Sequence, residues 1–87
     1  MNWDVEIAKR AKKQIKIFPK KDANRTITFL EQIAENPYQG DIEKIEGEKN
    51  IWRRRVGAYR VLYEIFPRQR FIHILNIQRR TSTTYRH

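Results

Sequence analysis

A chain of 87 residues suits one domain, 1–87, and with 39% hydrophobic residues it can build one modest core. It has no cysteine, which excludes a disulfide framework, a thiolate metal site and a thiol nucleophile. The net charge is +9 and uneven: residues 1–49 hold eight Lys, two Arg and nine acids, residues 50–87 nine Arg, no Lys and one acid, Glu64.

Trp3, Val5 and Ile7 alternate with Asp4 and Glu6, the pattern of a short strand with one buried face. From Ala8 the period changes. Ala8, Ala11, Ile15 and Phe18 recur at helical spacing, and Lys9, Arg10, Lys12, Lys13 and Lys16 fill the other side. Pro19 ends this helix or begins the next, for which Asp22 is a candidate N-cap. Ala23, Ile27, Leu30 and Ala34 mark the second helix, widened by Phe29 and Ile33, and Asn36-Pro37 stops it. So short a connection predicts an antiparallel helical hairpin.

Residues 37–50, with Pro37, Gly40 and Gly47 among charges, read as loop, with Ile42 and Ile45 able to anchor a short strand or turn. Two strand-like runs then flank Gly57-Ala58, a hairpin from about Ile51 to Phe66. Pro67–Arg70 is a turn, and Phe71–Ile77 is a nearly continuous apolar strand. By alternation His73 shares a face with Phe71, Leu75 and Ile77. The tail from Gln78 is polar and basic, with a short helix, an extended arm and a disordered end all open. Strand, helix, helix and a three-strand meander make an α+β domain: a helical hairpin packed on one face of a mainly antiparallel sheet.

If Val56 and Tyr59 close the turn, Arg55 pairs with Arg60, Arg54 with Val61, Arg53 with Leu62 and Trp52 with Tyr63. One face then carries Trp52, Val56, Tyr59, Val61 and Tyr63, with Arg54 as its odd member, snorkelling at the sheet edge. The other carries Arg53, Arg55 and Arg60 around Leu62, the face left open by the helices. Like charges directly opposite one another destabilise a ladder, and broken local rules tend to mark functional sites. Three guanidinium groups on one face suit phosphate, which Arg grips bidentately. An Arg-only half thus reads as the footprint of a nucleic-acid binder.

Other chemistry is sparse. There is no Gly-rich phosphate loop, and two His, at 73 and 87, make no metal site, so neither metal nor cofactor is expected. His73 is open to two readings, a satisfied sheet histidine or an acid–base group. Tyr59 and Tyr63 read as core and Tyr38 as loop packing, whereas Tyr85 in the basic tail suits base stacking or proton transfer as well as surface packing. An Arg cluster can still support RNA cleavage, because the substrate brings its own nucleophile, the 2′-hydroxyl. Proton transfer is the harder part, since Arg and Tyr have high pKa values. No apolar run of about 18 residues spans a membrane, and Asp4 and Glu6 interrupt any signal-peptide core, so a cytoplasmic protein is expected.

The pattern Trp52-Arg53-x-Arg55-Val56-Gly57-x-Tyr59-Arg60-Val61-Leu62-Tyr63-Glu64-Ile65, then Ile77, Arg79-Arg80 and Tyr85-Arg86, resembles the RelE/ParE superfamily of type II toxins. Val5-x-Ile7-x-x-x-Ala11-x-x-x-Ile15 and Glu35-Asn36-Pro37 are similar to it too, so the likeness covers nearly the whole chain. The resemblance implies the RelE-like microbial RNase fold and a cognate small antitoxin as partner. For the RelE branch it implies metal-independent cleavage of mRNA in the ribosomal A site, leaving a 2′,3′-cyclic phosphate and a 5′-hydroxyl. By position, Arg53 would position or activate the nucleophile, Arg55 would hold phosphate and Arg60 would stabilise the transition state. Arg79 or Arg80 would be general acid or phosphate ligand, and Tyr85 would stack on or activate the substrate. The rival reading is a ParE-like poison of DNA gyrase, which needs no phosphate site; the clustered arginines and Tyr85 favour the nuclease.

Overall fold

Alternation at Trp3, Val5 and Ile7 produces the first strand, β1 (Asp4–Ile7), in a computed structural model that describes residues 3–79. Helix α1 (Lys9–Lys16) and helix α2 (Lys20–Glu35) follow, then β2 (Ile42–Lys44), β3 (Ile51–Val56), β4 (Tyr59–Phe66) and β5 (Phe71–Arg79). The strands form one sheet in the order β1-β5-β4-β3-β2. Strands β2 to β5 pair antiparallel, and β1 lies parallel to β5 at the edge. Both helices rest on one face, α1 on β5 and α2 on β1 and β3. This is the expected α+β arrangement, a mainly antiparallel sheet covered on one side.

The two helices are separated only by Ile17, Phe18 and Pro19. Pro19, with φ −55° and ψ 149°, is the cap of α2, so Asp22 is not the N-cap the sequence suggested. Asp22 lies in the first turn, where the macrodipole favours a carboxylate. There it accepts a 2.9 Å hydrogen bond from the Tyr59 hydroxyl. The buried stripe of α2 is Thr26, Phe29 and Ile33, whereas Ile27, placed on that stripe by spacing, is 49% exposed. Thr26 can be buried because its hydroxyl donates to the Asp22 carbonyl.

The core lies between helices and sheet: Ala11, Phe29 and Ile33 above, and Val56, Tyr59, Val61, Tyr63, Ile65, Ile72, Ile74 and Ile77 below. The β3–β4 hairpin has the expected register, from Val56 opposite Tyr59 to Trp52 opposite Tyr63. Gly57 carries φ +60°, the left-handed value that suits glycine at a tight turn. Strand β5 departs from simple alternation. Leu62 faces Asn76 while Tyr63 faces Ile74, so Leu75 is an extra residue, a β-bulge. The bulge turns Ile77 into the core at 1% exposure, so His73 does not share its face. Gln14 of α1 reads the bulge directly: its Nε2 donates to Asn76 Oδ1 and its Oε1 accepts from the Ile77 backbone N–H, both at 2.7 Å. No described helix is long and apolar enough to cross a membrane.

Candidate functional site

Period-two alternation on β3 and β4 sends Arg53, Arg55 and Arg60 to the face the helices leave uncovered. Arg55 and Arg60 stand directly opposite each other next to the turn, and Arg53 stands opposite Leu62. The unfavourable like-charge pair expected from the sequence is therefore present.

Edge strand β2 brings what the sequence reading missed. Glu43 pairs with Arg53 across the β2–β3 ladder, and the Arg53 guanidinium donates to Glu43 Oε1 at 2.6 Å. Asp41, just before β2, accepts from the Arg55 backbone N–H at 3.4 Å through its carbonyl, and its carboxylate lies 4.0 Å from the Arg55 guanidinium. Asp41, Glu43, Arg53, Arg55 and Arg60 line an open cleft of about 230 Å³. Arg60 forms no ion pair among the described residues. A signal for both acids was present in Asp41-Ile42-Glu43-Lys44: alternation about Ile42 puts Asp41 and Glu43 on one face of a strand.

The electrostatics follow from this geometry. The hydrogen bond from Arg53 holds the Glu43 carboxyl below its usual range, and the charge of Arg53, then those of Arg60 and Arg55, push the same way. Glu43 is thus ionised at neutral pH. Three guanidinium groups against two carboxylates leave the cleft net positive, with donors directed into water. The charge and the donor types match those of a phosphate-binding site, with a carboxylate beside it.

Arg54 points to the other face. Its guanidinium lies over the Phe29 ring at 5.0 Å, and Nη1 donates to the Gln39 carbonyl at 2.9 Å. It is therefore folded onto the core rather than snorkelling into water. Gly40, at φ +96°, packs so closely on this guanidinium that a Cβ there would collide with it. Arg54 thus braces, from behind, the loop that delivers Asp41.

The remaining site residues divide. Arg79 pairs with Tyr59 and shares its face, close enough for its charge to act on the Tyr59 phenol. The sheet therefore separates Arg79 from the cleft. Arg80 and Tyr85 lie outside the described residues. His73 is half-buried on the open face, stacked on Phe71 and paired with Glu6 and Glu64 on either side, four positions along β4 from Arg60. Tyr63 donates to the Pro37 carbonyl at 3.0 Å, and Tyr38 packs edge-on against Trp3 and Trp52, the structural roles expected of them. Among the described residues no cluster of His, Asp or Glu could hold a metal.

Residues 5–83 match the family described as the ParE toxin of type II toxin–antitoxin system, parDE. Over 83 residues the chain is 32% identical to a Methanocaldococcus jannaschii protein assigned the toxin name RelE1, with 92% of each covered. Its structure is similar to a chain of the archaeal RelE–RelB complex from Pyrococcus horikoshii, with a TM-score of 0.83 and 28% identity over 95% of this chain and 100% of that one. The isolated E. coli RelE toxin shares the fold, with a TM-score of 0.79 at 14% identity, covering 94% and 88% of the two chains.

Proposed function

Because the chain belongs to the RelE/ParE superfamily of type II toxin–antitoxin toxins, we propose that it is an endoribonuclease held in check by a cognate small antitoxin and acting on mRNA in the ribosomal A site. The observation that carries this reading is the cleft in which Arg53, Arg55 and Arg60 converge beside the Glu43 carboxylate. The uncovered Arg55–Arg60 pair repels itself in the free chain and suits an arriving phosphate that neutralises both groups.

The chemistry is in-line transesterification. The 2′-oxygen attacks the adjacent phosphorus, the bond to the 5′-oxygen breaks, and a 2′,3′-cyclic phosphate and a 5′-hydroxyl result. Charge builds on the non-bridging oxygens of the phosphorane, where Arg60 and Arg55 donate. Arg53 orients Glu43, and Glu43 takes the 2′-hydroxyl proton, the role the basic half of the chain could not fill. A carboxyl depressed by three cations is a weak base, but the arriving phosphate engages those cations and adds negative charge, which raises it. The leaving 5′-oxygen needs a proton, for which Arg80 and Tyr85 of the tail are the proposed source. Arg79, across the sheet beside Tyr59, takes no part in this scheme. No metal or small-molecule cofactor takes part in this scheme.

The test is expression under tight control, with 5′ ends of mRNA mapped on translating ribosomes. Codon-periodic cuts that vanish in Arg60→Ala support the nuclease. Growth arrest with broken DNA and intact mRNA overturns it in favour of the gyrase poison, a reading the ParE family match keeps alive.

A further inference from the structure

The open face of the sheet is not uniformly basic. Leu62 stands directly opposite Arg53 in the β3–β4 ladder, and beyond this pair the face turns apolar. Ile45, Glu48, Ile51, Leu62 and Leu75 line a groove of about 430 Å³, inside the size range of small-molecule sites. Its four apolar side chains are half-buried. Two irregular segments build its walls. The bulge on β5 sets Leu75, the extra residue between Ile74 and Asn76, beside Leu62. Bulges often re-aim a side chain next to a functional site. The turn between β2 and β3, with Gly47 at φ +88° and the Glu48 N–H donating to the Ile45 carbonyl, brings Ile45 and Glu48 to the far rim. Among the described residues Glu48 is the one charged side chain lining the groove, and it forms no ion pair with any of them.

We infer that this groove seats the nucleobase beside the scissile phosphate, and that Glu48 selects a base bearing an exocyclic amino group over uracil. The inference rests on the reading of Arg53, Arg55 and Arg60 as the phosphate site and deepens it. Ile51 and Arg53 are two residues apart on one face of β3, about 7 Å, so the groove begins where the cleft ends. A phosphate held by the arginines has its own base within that reach. Branched aliphatic side chains pack on the π-face of any base, so the groove floor supplies contact and not choice. Choice falls to the edge of the base. A carboxylate accepts from the amino groups of cytosine, adenine and guanine, whereas uracil presents a carbonyl oxygen in their place. An apolar anchor from a protein would fill the floor of the groove. It would leave the Glu48 carboxylate without a donor and the adjoining guanidinium groups without an anion.

The test uses the full chain with isotope-labelled Leu and Ile methyl groups. The probes are ribose 5-phosphate and the 5′-monophosphates of cytidine, adenosine, guanosine and uridine, none of which offers a diester to cleave. Cytidine monophosphate should bind roughly tenfold tighter than ribose 5-phosphate, the gain usual for stacking one base. It should also shift the methyl resonances of Leu62, Leu75 and Ile51. Uridine monophosphate should bind roughly fivefold more weakly than cytidine monophosphate, the worth of about one hydrogen bond. Glu48→Gln, whose amide both donates and accepts, should bring the two nucleotides together and leave ribose 5-phosphate bound no more weakly. Glu48 is exposed in a turn, so this variant does not depend on the core for its folding. Equal affinity for the nucleotides and ribose 5-phosphate overturns the inference, and so does an undiminished uridine penalty in Glu48→Gln. Methyls unmoved by every nucleotide but shifted by a cognate antitoxin overturn it in favour of a protein surface. Failure to bind ribose 5-phosphate counts against the phosphate site, and free cytidine and uridine then report on the groove alone through the same methyls.

Discussion

Glu43 accepts a 2.6 Å hydrogen bond from the Arg53 guanidinium, its direct neighbour across the β2–β3 ladder. The carboxylate is a counter-ion of the cleft beside Asp41, and it is also the general base proposed above. These roles separate on Glu43→Gln. Loss of a general base should cut kcat by roughly 100-fold or more. Affinity for an analogue lacking the scissile 2′-hydroxyl should hold or tighten, because a competitor for Arg53 has lost its charge. The pH profile gives a second reading. Arg53 holds the free carboxyl below its usual range, so kcat/KM should stay flat from neutral pH into mild acid and fall only at lower pH, a limb absent from Glu43→Gln.

Arg60 and Arg79 should behave differently, although both belong to the Arg-only half of the chain. Arg60 lines the cleft, and Arg79 lies beside Tyr59 on the helix side. Arg60→Ala should reduce cleavage on the order of 10²–10³-fold, the usual loss for one transition-state donor. It should not lower Tm, because it removes a charge directly opposite Arg55. Arg79→Ala should cost far less activity, measured as 5′-end yield in a translating extract.

Legibility followed the range of the interactions. The hairpin register could be read because Gly57-Ala58 fixes the turn and every pair counts outward from Val56 and Tyr59. The placement of Arg53, Arg55 and Arg60 followed from it. Glu43 was missed because its partner is ten residues away and β2 is three residues long, too short to rise above its charged surroundings. The β5 bulge was hidden in an apolar run: where nearly every side chain is apolar, alternation cannot show where the face switches at Leu75. Asp22 resembled a cap by type, but its carboxylate is held by Tyr59, 37 residues on.

Burial pushes the Tyr63 phenol up to about 12, with Arg54 opposing. Burial and then Asp22 push Tyr59 up as well. Both groups hold their proton more tightly folded than unfolded. Their contribution is complete below pH ~10, the unfolded value, and is lost as pH rises through the folded values. Thermal stability should therefore decline above pH ~10. Tyr63→Phe orphans the buried Pro37 carbonyl and should cost about 1–3 kcal/mol at neutral pH. Its stability should then fall less steeply than that of wild type in alkali. A parallel decline in both proteins would remove Tyr63 as the cause.

Gln14 joins α1 to the one irregular point of the sheet, using both ends of its amide on Asn76 and the Ile77 N–H. Strand β1 ends opposite Ile74, so Gln14 serves the Ile77 N–H beyond the reach of the β1 ladder, at the place where Ile77 enters the core. Gln14→Ala removes two hydrogen bonds and strands a part-buried backbone donor, so it should cost about 2–3 kcal/mol in urea unfolding. Gln14→Glu keeps the acceptor but loses the donor to Asn76, and should cost less than the alanine variant at neutral pH. Because α1 packs chiefly on β5, releasing this contact should loosen the helix before the hairpin. Hydrogen exchange should therefore rise first in residues 9–16 and at Ile77, with the β3–β4 amides still protected. Uniform loss of protection across the sheet would show that the bulge is held by packing alone.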